Sequence, residues 1–276
     1  MLSMRIAISG LVVLLVVANC SLVEAEITPH GLLTDNAVLQ RGVKVPLLDN
    51  SDKAEMVTVT FAGQEVSAAP SDGKWRVELA LMEANRKPRT LTIAQGDTRF
   101  HLKNLLIGDV WLCGGQSNMA HRMLDTPESK ATLPTTTNDQ LRLYLEKRRI
   151  GASHPLRDTP QPDKGPDRTW SSSNPQSAEQ FSAVGYFFGR NLQKSLGVPI
   201  GLIHANMGST SAERWISQEY IEADKELHKM KPTEGAFDLW NGMIFPLTQF
   251  QFEVSFAIRA RATSIAIGSI ELCCRC

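Results

Sequence analysis

The clearest period along the chain is two. Met56-Val57-Thr58-Val59-Thr60-Phe61 alternates polar and apolar positions and is rich in β-branched residues, which predicts a half-buried strand closed by a turn at Gly63. Trp75-Arg76-Val77-Glu78-Leu79 alternates again. It follows Asp72-Gly73, a dipeptide that tolerates positive φ and so predicts a tight turn. Thr90-Leu91-Thr92-Ile93 supplies a further short strand. Strands at this spacing predict a small antiparallel sandwich over residues 26–104. No cluster of reactive side chains falls in that stretch, and its expected role is structural or glycan-contacting.

From about Leu105 the pattern changes. Residues 105–113 are mostly apolar at strand length and end at Gly114-Gly115, and 141–145 alternate Leu-Arg-Leu-Tyr-Leu. Over 178–196 the period becomes helical. Phe181, Val184, Phe188, Leu192 and Leu196 recur at three- and four-residue steps and predict one apolar face. Ser177 is expected to cap the start of this helix and Gly197 its end, and Pro199 bars continuation. Residues 199–205 then read as a buried strand. Strand, helix, strand predicts a right-handed βαβ unit in a parallel sheet. The Pro-, Asp- and Ser-rich stretch 153–175 predicts a surface loop.

The first residues carry a different signal. Arg5 precedes an apolar stretch over 6–18, broken only by Ser9 and Gly10, and Val23-Glu24-Ala25 supplies a small-x-small cleavage pattern. This predicts a signal peptide over 1–25 cleaved after Ala25, and a secreted or lysosomal protein. The apolar core of about 13 residues is too short to span a bilayer. In an oxidising compartment Cys113, Cys273, Cys274 and Cys276 would remain, and their pairing stays open. Lys and Arg number 29 against 29 Asp and Glu, so no net field draws the chain to nucleic acid or anionic lipid. With 42% hydrophobic and 21% charged residues, wholesale disorder is excluded.

Candidate chemistry falls at two strand ends. Gly114-Gly115-Gln116-Ser117-Asn118-Met119 places a serine directly after a glycine turn, where its hydroxyl is exposed and its own N–H can face a developing oxyanion. Asn206-Met207-Gly208-Ser209-Thr210 follows the 199–205 strand, and Gly208 allows close approach and a second N–H. His121, four residues past Ser117, is a weak candidate base. His204 is expected in the core or at the sheet top.

At these residues the chain resembles the sialate O-acetylesterases of the SGNH hydrolase superfamily. Gly108-Asp109-Val110-Trp111-Leu112-Cys113-Gly114-Gly115-Gln116-Ser117-Asn118-Met119 is similar to the family's nucleophile block. Asp35-Asn36-Ala37-Val38-Leu39-Gln40-Arg41 resembles its opening, Phe181-Ser182-Ala183-Val184-Gly185-Tyr186-Phe187-Phe188-Gly189-Arg190 its first long helix, and Val198-Pro199-Ile200-Gly201-Leu202-Ile203 the strand to the second block. Trp240-Asn241-Gly242-Met243-Ile244 resembles its Tyr-Asn-Gly-Met segment. The likeness runs over 27–250. It implies a partial flavodoxin-like SGNH domain over 105–250 behind a β-sandwich-like module, with Ser117 as nucleophile and the N–H groups of Ser117 and Gly208 as oxyanion donors. It further implies removal of O-acetyl groups from sialic acids or sialoglycans through an acetyl-enzyme, with no metal or cofactor.

The chain also departs from the family. The Gly-Glu-Ser-Asn type turn bearing a third oxyanion donor is missing, and no Asp-x-x-His occurs anywhere. Residues 251–276 do not resemble the family. The expectations are therefore a truncated or alternative form, feeble or absent turnover, and a parallel strand left with an open edge. The alternative reading is a non-catalytic secreted protein that binds glycans or has no function.

Overall fold

The computed structural model describes residues 28–146, 148–156, 169–229, 235–250 and 254–258. The expected signal peptide and the three tail cysteines lie outside them. The first half is built from β1 (Thr28–Pro29), β2 (Val38–Gln40), β3 (Val45–Asn50), β4 (Val57–Phe61), β5 (Gln64–Ala68), β6 (Lys74–Leu79), β7 (Asn85–Gln95) and β8 (Thr98–Gly115). After it come helices α1 (Ser117–Ala120) and α2 (Pro127–Thr132), strands β9 (Asn138–Leu145) and β10 (Trp170–Ser173), and helices α3 (Pro175–Ala178) and α4 (Ala183–Leu196). Strand β11 (Ile200–Asn206), helix α5 (Gln218–Ala223) and strand β12 (Val254–Ile258) complete the described elements.

The strands form two sheets. β1, β3 and β6 make a small antiparallel one. The other nine follow the order β10-β9-β11-β8-β7-β4-β5, with β2 and β12 also paired to β8. The alternation of β4 and β6 does what the sequence predicts: Val57, Val59 and Phe61 point inward, as do Trp75, Val77 and Leu79, and all join one core with Leu47, Leu91 and Ile93 between the sheets. Asp72 and Gly73 both take positive φ, at 51° and 72°, as the turn before β6 requires.

β8 organises the whole chain. Its first part pairs antiparallel with β7, Leu106–Gly108 pairs parallel with β2, and Asp109–Gly115 pairs parallel with β11. The compositional change near residue 104 thus falls inside a continuous strand. The core reflects this, because Leu105, Leu106 and Val110 share one cluster with Tyr144, Trp170, Ile203 and Met243. Two polar clamps fix the strand. The guanidinium of Arg41 grips the buried carboxylate of Asp109 with two bonds, at 2.6 and 3.0 Å, and Gln40 Oε1 accepts from the Val110 N–H at 2.8 Å. The Asp35–Arg41 block is therefore the brace of the strand that carries Ser117.

The helical unit differs from expectation at its start. Residues 175–196 form two helices. Asn174 and Ser177 make a capping box for α3, and the side chain of Ser182 caps α4 by accepting from the Gly185 N–H at 3.1 Å. Ser177 thus caps no part of α4. Gly197 ends the helix at φ +67°, as expected. The buried stripe of α4 is Gly185, Tyr186 and Gly189, with Val184, Phe188 and Leu192 only partly covered and Leu196 exposed. Two glycines turn inward because the helix lies against the sheet so closely that a methyl on Gly189 would strike Leu202.

The edge of β8 opposite β11 is not open. β12 lies there in parallel register, Val254 opposite Trp111 and Ile258 opposite Gly115. The strand comes from beyond the stretch that resembles the family.

Candidate functional site

β8 and β11 run parallel and in register to their last residues, Ala205 opposite Gly114 and Asn206 opposite Gly115. The turns after them therefore emerge side by side at the carboxyl edge of the sheet, where open α/β sheets gather their ligands. Gly115 takes φ +133°, which bends the chain sharply into Gln116 and α1. The turn after β11 is tied to β8 by the Met207 N–H, which donates to the Gly115 carbonyl at 3.1 Å. It is closed by Thr210, whose hydroxyl donates to the Met207 carbonyl at 2.8 Å and accepts from the Trp215 indole at 2.9 Å.

This brings Ser117 and Gly208 together. A methyl built on Gly208 would lie 3.9 Å from the Cα of Ser117. The Ser117 hydroxyl is half-buried, donates to Gln116 Oε1 at 3.1 Å and accepts from the Ser209 N–H at 3.5 Å. Among the described residues, the N–H groups of Ser117 and Gly208 have no acceptor. Ser209, at φ +59°, is the member that sequence reasoning missed. Its left-handed backbone turns an N–H onto the serine oxygen, and its only signal was its place beside Gly208.

No imidazole hydrogen-bonds to Ser117 among the described residues. His121 is exposed, and its carbonyl is taken by the Ala183 N–H at 2.8 Å. His204 sits on β11 beneath the turn, its ring against Phe181 at 5.2 Å. Burial, with the charge of Arg148, pulls it down to about 4, and the nearby Asn206 carboxamide offsets this only in part. Asn206 is not in hydrogen-bond geometry with it; both amide atoms of Asn206 and Nδ1 of His204 are buried without partners. Cys113 is buried and free of any disulfide, and burial pushes its thiol up to about 12. Among the described residues no three His, Cys, Asp or Glu side chains converge as a metal site. No helix is long and apolar enough to cross a membrane among those residues.

The Trp240-Asn241-Gly242-Met243-Ile244 segment is a single π-helical turn. Asn241 donates to the Ala152 carbonyl at 3.0 Å, and Gly242 packs against Arg149 so closely that a methyl would come within 2.8 Å of its carbonyl oxygen. Just before it, Asp238 accepts two bonds from Arg214, at 2.8 and 2.7 Å, and one from the Gly151 N–H at 2.9 Å. Burial alone would raise the Asp238 carboxyl, but these bonds and the Arg214 charge hold it below the ordinary carboxylate value. The effect is to pin residues 149–152 to the body of the domain.

A serine on a glycine turn at the carboxyl edge of a parallel sheet, with a second glycine turn beside it, is the arrangement expected of a member of the SGNH hydrolase superfamily. Residues 107–245 match the family of carbohydrate esterases described as sialic acid-specific acetylesterases, and the chain belongs to that family. The sialate O-acetylesterase of Homo sapiens is 31% identical over 218 residues, covering 69% of this chain and 40% of the human protein. That of Rattus norvegicus is 30% identical over 182 residues, or 60% of this chain and 33% of the rat protein. The chain thus spans well under half the length of these relatives. A crystal structure of a carbohydrate acetylesterase from Xanthomonas citri superposes with a TM-score of 0.74 at 28% identity, covering 84% of this chain and 51% of that one.

Proposed function

We propose that the site hydrolyses O-acetyl esters of sialic acid, in a secreted or lysosomal setting, with Ser117 as nucleophile. The observation that carries this reading is the pairing of the Ser117 hydroxyl with the glycine turn of Gly208 and Ser209. Ser117 Oγ attacks the acetyl carbonyl, the sugar hydroxyl leaves with a proton, and water then releases acetate from the acetyl-serine. The unengaged N–H groups of Ser117 and Gly208 would bind the carbonyl oxygen as it becomes an oxyanion. A serine hydroxyl needs a base to attack at neutral pH. Among the described residues none stands in place, since His121 is solvent-facing and His204 is buried, and no Asp-x-x-His occurs in the sequence. Turnover by these residues alone is therefore feeble, on the scale of roughly 10³–10⁴-fold over water that survives loss of triad members in serine hydrolases.

The test is steady-state hydrolysis of an O-acetylated sialic acid and of a neutral aryl acetate by the purified chain and by Ser117→Ala, with mass spectrometry for an acetylated Ser117 peptide. Weak turnover lost in the variant supports the proposal. Turnover indifferent to Ser117 overturns it. Binding of sialosides without any hydrolysis would favour the non-catalytic alternative, which rests on Ser117 having no imidazole bonded to it among the described residues.

A further inference from the structure

We propose that Arg148 reads the carboxylate of the sugar whose ester Ser117 attacks, an inference that rests on the esterase reading above. The placement comes from the sheet. β9 runs parallel to β11, Leu145 lies opposite His204, and the Glu146 N–H donates to the His204 carbonyl at 2.9 Å. The chain leaving β9 therefore emerges at the same edge as Ser117, two strand positions away from β8. At about 4.8 Å per strand, that separation is roughly 10 Å, the scale of one monosaccharide.

Arg148 differs from several other arginines of the domain in being unspent. Arg122 is held by Asp125, Arg142 by Asn36 and Asn104, Arg190 by the face of Phe187, and Arg214 by Asp238. Arg148 is exposed and makes no hydrogen bond or ion pair among the described residues. Its segment is nevertheless held firmly, because Gly151 is bonded to Asp238, Ala152 to Asn241, and Arg149 abuts Gly242. An exposed guanidinium with no internal partner, carried on a tethered backbone, suits a planar carboxylate, which it can engage with two parallel bonds. The Asp238 and π-turn contacts acquire a purpose in this arrangement: they hold the backbone from which Arg148 projects.

The experiment measures equilibrium binding of N-acetylneuraminic acid and of its methyl ester to the Ser117→Ala protein by calorimetry or ligand-observed NMR, with and without Arg148→Ala or Arg148→Lys. The expected result is that the free acid binds more tightly than the ester, that Arg148→Ala weakens the acid by about tenfold and leaves the ester unchanged, and that Arg148→Lys restores part of the loss. Equal binding of acid and ester, or an Arg148→Ala protein that binds the acid as well as its parent, overturns the assignment. Hydrolysis of the neutral aryl acetate by the unmodified chain is scored separately. It reports on Ser117 alone, so failure of the carboxylate reading does not pass for failure of the esterase reading.

Discussion

Gly108→Ala should damage the fold far more than its size suggests. Gly108 lies where β8 meets the start of β11. A Cβ there would fall inside the carbonyl oxygen of Pro199, 2.7 Å from its carbon and 2.8 Å from its Cβ. Ordinary contact begins near 3.4 Å, so β11 would have to retreat by at least the 0.7 Å between 3.4 and 2.7. The obstacle is backbone, which cannot swing aside like a side chain. The same movement strains the bond from the Asp109 N–H to the Pro199 carbonyl, now 3.0 Å. Overpacking costs about 1–3 kcal/mol and a compromised hydrogen bond about 1 more, so a loss of roughly 2–4 kcal/mol is expected. Against a domain stability of about 5–15 kcal/mol this is severe. Gly114→Ala is the control on the same strand, since its Cβ would sit an ordinary 3.8 Å from the Ala205 oxygen. It should be neutral or gain up to about 1 kcal/mol through the unfolded chain. Urea unfolding followed by tryptophan fluorescence reads both. With a slope of about 1–3 kcal/mol per molar, the Gly108→Ala midpoint should fall by about 1–2 M. Coincident midpoints for the two variants would refute the claim that close approach of β8 and β11 sets the register of the site.

Three further outcomes are expected. Ser182→Ala, which removes the cap of α4, should lower stability by about 1 kcal/mol in the same urea assay, whereas Ser177→Ala should leave the α4 amides' exchange protection unchanged. The Cys113 thiol, raised to about 12 by burial, should resist alkylation at pH 8 in the native protein and react once urea unfolds it, as followed on the Cys113 peptide by mass spectrometry. Because burial and the Arg148 charge lower His204 to about 4 in the fold, against about 6.5 unfolded, the unfolded chain binds more protons between those values. Stability should therefore fall as pH drops from about 6.5 to 4, and His204→Leu should flatten that limb; identical slopes in the two proteins would contradict it.

Much of the sheet was legible because period-two alternation and unbroken apolar runs report burial directly. β4, β6 and β11 lie where the pattern puts them, and Ser117 and Gly208 meet because two such strands end in glycine turns in register. Features set by distant partners were not legible. The Arg41–Asp109 pair joins residues 68 apart, and nothing local marks either as a clamp. The length of β8 was hidden because only its second half is solidly apolar, so the pattern marks a strand over 105–113 and not the seven residues before it. The start of α4 was misread because Ser177 and Ser182 are chemically equal caps, and the choice turned on Asn174 and Pro175 closing a separate turn first. Burial of Gly185 and Gly189 in place of larger side chains on the face of α4 reflects how near the sheet lies, which apolar periodicity does not encode. β12 pairs with β8 in a stretch where no motif in the residues stood out.

The 18 residues of β8 carry a mechanical consequence. At about 3.3 Å per residue the strand has a contour of roughly 60 Å, bent at Asn104, where φ is +61°, with one end in the sandwich and Ser117 just past the other. Both β7 and β2 pair with it, so it joins the two halves through one continuous backbone up to the Gly115 bend. Cutting the chain where its composition changes would sever that strand in mid-span. The hydrolase half would lose β2 and the Arg41 brace, and the sandwich half would lose Leu105 and Ile107, the partners of Arg89 and Asn85. The two halves therefore lack a seam along which evolution, or a protease, can part them cleanly.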